Sequence, residues 1–251
     1  MLASQRHRII LETLHEAGAV RTAALAEQLN VTEETVRKDL LKLENSGKLK
    51  RAHGGAVLEV SLDRELDYQE REGQQIKEKA RIAKRALRLI EPRSSIFLDA
   101  SSTVLALARL LEDRELTVIT HAQKVVSQLS HLADVKVIQL GGNLDRRSLS
   151  FTGPATIDSL RRYKIDQFFF SCRGLHETRG LSEASESQAA LKYALFEQAE
   201  QVVLLADHTK FGLSSSYFFG QADDLDVVVT DQMPPEPYQR TLSPAELVLA
   251  N

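Results

Sequence analysis

The chain has 251 residues, 43% of them hydrophobic, a formal charge of -3 and one cysteine. This size allows one small domain beside one of ordinary size, and the apolar content supports packed cores rather than general disorder. The lone Cys172 excludes an intrachain disulfide framework, and the net charge excludes a uniformly basic nucleic-acid binder. With no leader pattern and no apolar run long enough for a bilayer, a cytoplasmic protein with no membrane partner is expected.

The charge is unevenly placed. Residues 1–57 hold nine Lys/Arg and seven Asp/Glu, and from Arg37 to His53 there are six cations and two anions. The remainder is acidic, which suits DNA approached through one part of the chain. Residues 5–16 read as a first helix with Ile9, Ile10 and Leu14 inward, broken at Gly18. Arg21 to Leu29 is a second, with Leu25 and Leu29 inward, and Asn30-Val31 turns the chain into a third. Thr32 is a candidate N-cap for that helix, with Glu34 and Thr35 in its first turn. Val36, Leu40 and Leu43 form its apolar face; Glu33, Glu34, Arg37, Lys38 and Lys42 lie opposite, and Asn45-Ser46-Gly47 stops it. A basic segment with Lys48, Lys50 and Arg51 leads to His53-Gly54-Gly55. Three short helices with a turn before the last are helix-turn-helix geometry, here followed by a wing. A recognition helix would bring Thr35, Arg37 and Lys38 near base edges and phosphates, with the wing cations on the neighbouring backbone. Taken alone, the third segment equally fits an amphipathic helix with a solvated charged face.

The run Q-R-x-x-I, then L-A-x-x-L-x-V-T-x-x-T-V-R-K-D-L-x-x-L-E-x-x-G-x-L-x-R-x-H-G-G-A, covers residues 5–56 and resembles the DeoR family of bacterial transcription regulators. The resemblance implies binding to double-stranded operator DNA through Thr32, Glu34, Thr35, Arg37, Lys38, Lys42, Lys50, Arg51 and His53. The family often has Ser in place of Thr32 and Arg in place of Lys38; both differences keep the chemistry and bear only on operator sequence.

Residues 58–71, charged and without a sustained period, read as a linker between a first domain at 1–57 and a second at 72–251. From Glu72 to Ile90 the spacing predicts one long helix with Ile76, Ala80, Ala83, Leu87 and Ile90 inward and its cations on a solvated face. Short apolar runs at 95–98, 116–120, 135–140, 167–172, 202–206 and 226–230 then alternate with helices at 102–111, 122–129, 154–163 and 185–200. This predicts a doubly wound, mostly parallel α/β sheet covered on both faces. The tail after Met233 reads as loop, with a possible turn at 244–249.

In such a sheet ligands gather at the carboxyl ends of the strands. The first strand ends in Asp99-Ala100-Ser101-Ser102-Thr103, where hydroxyls and free N–H groups at a helix start suit a phosphate, or equally plain N-capping. Other strand ends carry Thr120-His121, Gly141-Gly142, Cys172-Arg173-Gly174 and Asp207 to Gly212, with Glu183 and Glu186 nearby. Asp207 and Lys210 fit either a grip on hydroxyl and phosphate groups or a surface ion pair. No GxxxxGK[ST] loop, GxSxG elbow or zinc-ligand spacing occurs, so neither cofactor nor metal is expected.

The stretches LDASST, TVITH, LGG, Gly153, Gly174 to Gly180 and ADHTKFG look like the DeoR sensor domain, which is similar to the sugar-phosphate isomerase and CoA-transferase fold. The resemblance implies a phosphorylated sugar effector, with Ser101, Ser102 and Thr103 on its phosphate and Asp99, Asp207 and Lys210 facing the sugar. Thr120, His121, Gly141, Gly142, Arg173, Gly174 and Glu186 complete the expected effector site. The family often has Gly at Ser101 and Asn at His121; Ser101 would narrow the loop, and His121 would change the hydroxyl read or make binding sensitive to pH near about 6.5. The implied function is a repressor of a sugar-metabolism operon rather than an enzyme. One helix-turn-helix reads a short half-site, so a homodimer or homotetramer is expected. The competing reading is a sugar-phosphate isomerase with an appended DNA-binding domain, with Glu183, Glu186, Asp99 or Asp207 moving the proton.

Overall fold

The computed structural model describes residues 3–17, 19–45, 49–52, 54–57 and 68–250. They fall into two units divided between Ser61 and Leu62.

The first unit holds α1 (Ala3–Ala17), β1 (Ala19–Arg21), α2 (Thr22–Leu29), α3 (Glu33–Asn45), β2 (Lys50–Ala52) and β3 (Gly55–Val57). Ile10, Leu14, Leu25, Leu29, Val36, Leu40, Leu43 and Leu49 form one buried cluster, so the helical spacing read in the sequence is the spacing that packs. Asn30 takes a left-handed conformation (φ 51°) and ends α2. Thr32 then caps α3, its Oγ1 accepting from the Thr35 N–H at 3.3 Å. The three strands form an antiparallel sheet in the order β1-β3-β2, a pairing of β1 that the sequence did not announce. A side chain at Gly55 would lie 2.0 Å from the Val20 carbonyl oxygen, so the close approach of β1 and β3 requires glycine there. The helix stop at Ser46-Gly47, Lys48 and the wing residue His53 lie outside the described residues.

The second unit begins with α4 (Tyr68–Glu72) and α5 (Ile76–Ala86). It continues through β4 (Ser95–Leu98), α6 (Ser102–Ala108), β5 (Leu116–Thr120), α7 (Gln123–Leu129), β6 (Val135–Gln139), β7 (Asn143–Asp145), β8 (Ser150–Thr152), α8 (Pro154–Leu160) and β9 (Ile165–Phe170). Next come β10 (Gly174–His176), β11 (Gly180–Glu183), α9 (Glu186–Phe196), β12 (Ala199–Leu205), β13 (Tyr217–Gly220), β14 (Val227–Thr230), α10 (Glu236–Thr241) and β15 (Glu246–Leu249). Seven strands form one parallel sheet in the order β15-β14-β12-β9-β4-β5-β6. Its residues alternate between two cores. Ile96, Leu98, Phe169, Val203 and Leu205 face α5, α6 and α7, while Phe97, Phe168, Phe170, Val202 and Leu204 face α8 and α9. This is the doubly wound α/β layering that the apolar runs predict.

Three expectations are corrected. The long helix over 72–90 is instead two helices, broken at Gln75 (φ 49°), with a short 3-10 turn after α5. Its buried face is Lys79, Ile82, Ala83 and Ala86, whereas Ile76 is 63% exposed. Residues 68–71, read as linker, belong to α4, and Tyr68 is buried with its N–H donating to the Arg147 carbonyl at 3.0 Å. The tail read as loop contains α10 and the edge strand β15.

Candidate functional site

In the first unit, α3 turns an apolar face inward and a charged one outward. Arg37 pairs with Glu33 at 2.9 Å and lies 3.8 Å from Glu34, and Lys38 lies 3.8 Å from Glu34. These pairs are well exposed and worth little to stability, so exchanging them for phosphates or bases costs little. Lys42 is exposed and Thr35 half-buried on the same helix. Lys50 and Arg51 stand on β2; the Arg51 N–H donates to Glu44 at 2.9 Å and its side chain is exposed. Asp39 differs from its charged neighbours. It is buried and receives Arg6 Nε at 2.7 Å and His7 Nε2 at 2.9 Å, which ties α3 to α1.

In the second unit the strand ends converge on a buried lysine that the sequence reading did not single out. Lys192, on α9, donates to the Ser171 carbonyl, pairs with Glu183 and lies 3.2 Å from Asp99. Burial opposes its charge, but Glu183 and Asp99 outweigh that and hold its pKa above the ordinary lysine value. The second oxygen of Asp99 accepts from the Ser101 N–H at 2.8 Å, and the first, shared with Lys192, also accepts from Ser171 N–H at 3.2 Å. Cys172 lies in the same neighbourhood, its thiol pushed up to about 12 by burial. The charges of Lys192, Glu183, Lys210 and Asp207 all act on it, so Asp207 and Lys210 lie within electrostatic reach of Cys172.

The other expected residues divide by what already holds them. Ser101 caps α6, accepting from the Val104 N–H at 3.1 Å, and Thr103 is buried beside it. Ser102 Oγ donates to the Arg71 carbonyl at 3.3 Å. The Thr120 hydroxyl donates to the Leu98 carbonyl and accepts from the Ala122 N–H, so it holds β5 to β4. His121 is buried, with Nδ1 2.9 Å from the Phe151 carbonyl. Burial pushes its pKa down to about 4 against the pull of that carbonyl, which corrects the expectation of titration near neutral pH. At Gly142 (φ 144°) a side chain would meet Thr156 and Thr152, so this glycine makes room for the protein itself; the Gly141 carbonyl accepts from Thr156 at 2.7 Å. Arg173 N–H donates to the Ser182 carbonyl, and Gly174 packs against Leu213. Glu186 is exposed in the first turn of α9; Glu183, and not Glu186, engages Lys192.

A second cation missed by the sequence reading is Lys79. It is buried on α5 and donates to the carbonyl oxygens of Arg71 and, at 2.6 Å, Gln74. Burial, then Lys210, push its pKa down to about 8, and Asp207 opposes the shift. Lys79 therefore lies within electrostatic reach of the same Asp207 and Lys210. At the opposite, amino ends of the strands is a polar depression of about 650 Å3 that includes Arg93, Lys164, Asp166, Gln167 and Asp226. There Asp166 accepts from Ser95 N–H and Asp226 from Val202 N–H, so these side chains tie strands together. Among the described residues no group of His, Cys, Asp and Glu could hold a metal ion, and no helix is long and apolar enough to cross a membrane.

Comparison with known proteins agrees with both halves of this description. The DeoR-like helix-turn-helix domain matches residues 6–61, and the DeoR C terminal sensor domain matches residues 74–232. An uncharacterized HTH-type transcriptional regulator of Bacillus subtilis, YulB, is 38% identical, covering 92% of this chain and 90% of its own. The HTH-type transcriptional repressor GlcR of the same organism is 32% identical over 93% and 90%. The glycerol-3-phosphate regulon repressor of Escherichia coli is 31% identical over 97% and 96%. A helix-turn-helix unit with a charged outer face, a parallel α/β unit with buried charges at its strand ends, and relatives aligned almost end to end place this chain in the DeoR family of DNA-binding transcription regulators.

Proposed function

We propose that the protein represses a sugar-metabolism operon and that a phosphorylated sugar, bound at the strand ends of the second unit, releases it from operator DNA. The observation that carries the effector half is Lys192. An ammonium this deeply buried and fixed by two carboxylates is costly to stability alone, and such groups cluster at functional sites. In this reading Lys192 orients Asp99 and Glu183 toward sugar hydroxyls, with Ser102, Thr103 and Lys210 on the phosphate side and Asp207 between them. The DNA half rests on α3, with Arg37 and Lys38 on bases and phosphates and Lys42, Lys50 and Arg51 on backbone. The protein acts as a homodimer or homotetramer in the cytoplasm, because each α3 reads only half a site. Two of the named relatives are repressors, and one is named for a glycerol-3-phosphate regulon.

The test is operator affinity measured against a panel of phosphorylated sugars and glycerol 3-phosphate, each beside its unphosphorylated form. One phosphorylated compound should weaken operator binding, and its unphosphorylated form should do nothing. If none moves operator affinity, the sensor reading is wrong. Following the same compounds by NMR over hours tests the isomerase reading, which requires conversion; the sensor reading expects none.

A further inference from the structure

Two donors at the strand ends are already engaged, and on the same atom. The α4 helix ends at Glu72, and the carbonyls of a last helical turn have no partner within the helix. Here Lys79 Nζ donates to the Arg71 carbonyl and to that of Gln74, and Ser102 Oγ reaches the same Arg71 oxygen at 3.3 Å. The flanks of α4 are fixed as well. Tyr68 N–H donates to Arg147, between β7 and β8. Glu72 pairs with Arg109 at the end of α6 and, at 3.2 Å, with Lys124 on α7. The buried Tyr68 ring has Arg71 and Lys124 each 5.3 Å from its centroid. A short helix is thus strapped across α6, α7 and the β7–β8 turn, with Lys79 and Ser102 as its inner fastening.

The fastening carries more positive charge than its neutral partners require. Lys79 feels both Lys210 and Arg71 as like charges, and Asp207 and Glu72 offset them. The Nε of Arg71 is itself buried without a hydrogen-bond partner among the described residues. The acceptor in the middle is a neutral amide oxygen, whereas a phosphate monoester dianion brings formal negative charge to the same ammonium and guanidinium groups.

We propose that the phosphate of the effector competes with the Arg71 carbonyl for Lys79 and Ser102, and that its binding unfastens α4. This rests on the sugar-phosphate reading above and names its switch. The chain runs from β3 through residues 58–67 into α4, so α4 is where the second unit takes hold of the segment leading from the DNA-binding unit. With α4 fastened, the second unit holds the chain from Tyr68 onward; unfastened, it holds it only from α5 onward. In a dimer a longer stretch of chain not held by the second unit lowers the effective concentration of the second α3 at its half-site, so operator affinity falls.

Hydrogen exchange of the full chain, read by mass spectrometry over residues 68–75, tests this with inorganic phosphate and with glycerol 3-phosphate against chloride at equal ionic strength. Either phosphate should speed exchange in that segment by roughly tenfold, within the usual range for coupled sites. Lys79→Met should exchange fast there with chloride alone and respond no further; Ser102→Ala, the milder change, should show a smaller rise on phosphate. Unchanged or slower exchange over 68–75 with both compounds in the wild type overturns the proposal, whatever the variants do. Operator affinity on the same samples separates the two claims. If glycerol 3-phosphate or a sugar phosphate weakens operator binding while 68–75 stays protected, the strap fails and the sensor reading stands.

Discussion

Arg6 Nε lies 2.7 Å from Asp39 Oδ2, and Arg6 Nη2 lies 3.2 Å from the other carboxylate oxygen, so α1 grips α3 from its inner side. Asp39 sits between Lys38, on the exposed side, and Leu40, in the core. One residue is therefore turned from the charged face into a joint. Burial works against the Asp39 charge, but the hydrogen bonds from Arg6 and His7 outweigh it and hold the carboxyl below its usual range.

Asp39→Ala should destabilise the helix-turn-helix unit by about 1–3 kcal/mol, the cost of removing a buried acceptor with charged partners. Because the folded carboxyl pKa is lowered, its contribution is present above the unfolded value near 4 and lost as pH falls through the folded one. Urea titrations of wild type and variant at pH 7 and at several values below about pH 4 should show the gap closing toward the acid end.

On the outer side of α3, Arg37→Ala or Lys38→Ala should lose about 1–3 kcal/mol of operator affinity if the side chain makes a bidentate base contact. Arg51→Ala should instead weaken binding to all sequences and flatten its dependence on salt. Gel-shift titrations at several salt concentrations distinguish the two patterns. Operator affinity unchanged in a folded Arg37→Ala protein would falsify the recognition-helix assignment.

His121 gives the second unit a dependence on acid of the opposite origin. Its folded pKa of about 4 is below the unfolded value of about 6.5, so the unfolded chain binds the extra proton between these values. Stability is full above about pH 6.5 and is lost as pH falls toward 4, by roughly 3 kcal/mol at most. His121→Asn should remove that part of the slope between pH 7 and pH 5. Equal slopes in the two proteins would mean that the imidazole is not buried as described.

Lys192→Met should leave Asp99 and Glu183 without their counter-charge and cost roughly 3–5 kcal/mol. Adding Glu183→Gln should restore part of the loss, because it removes one of the stranded carboxylates. Denaturation of wild type, each single variant and the double variant gives the coupling directly.

The sheet was legible because each central strand is a short apolar run that must be covered on both faces, and the three phenylalanines at 168–170 alternate between the two cores as such a run should. The helix-turn-helix was legible for a related reason: its core positions recur at helical spacing within one short segment. Lys79 was hidden because its partners are main-chain oxygens of Arg71 and Gln74, which have no sequence signature, and because the break at Gln75 shifts the face of α5. Lys192 was hidden because Asp99 and Glu183 meet it only through the fold. The edge strand β15 follows a proline-rich stretch and reads as tail, since Glu246–Leu249 is a short run whose parallel pairing with β14 is set by the fold.

The strand order has a consequence for how the protein is made. At the centre of the sheet β4 pairs with β9, with three helices and four other strands between them in the chain, and β15 closes an edge only after the other six strands of the sheet have been synthesised. The first unit is closed by contacts that end at Val57. On the ribosome, the DNA-reading half can fold while the sheet that would govern it is still short of its middle, since local contacts form fast and distant strand pairings form late. A nascent or stalled chain would then present a finished α3 with no regulator attached.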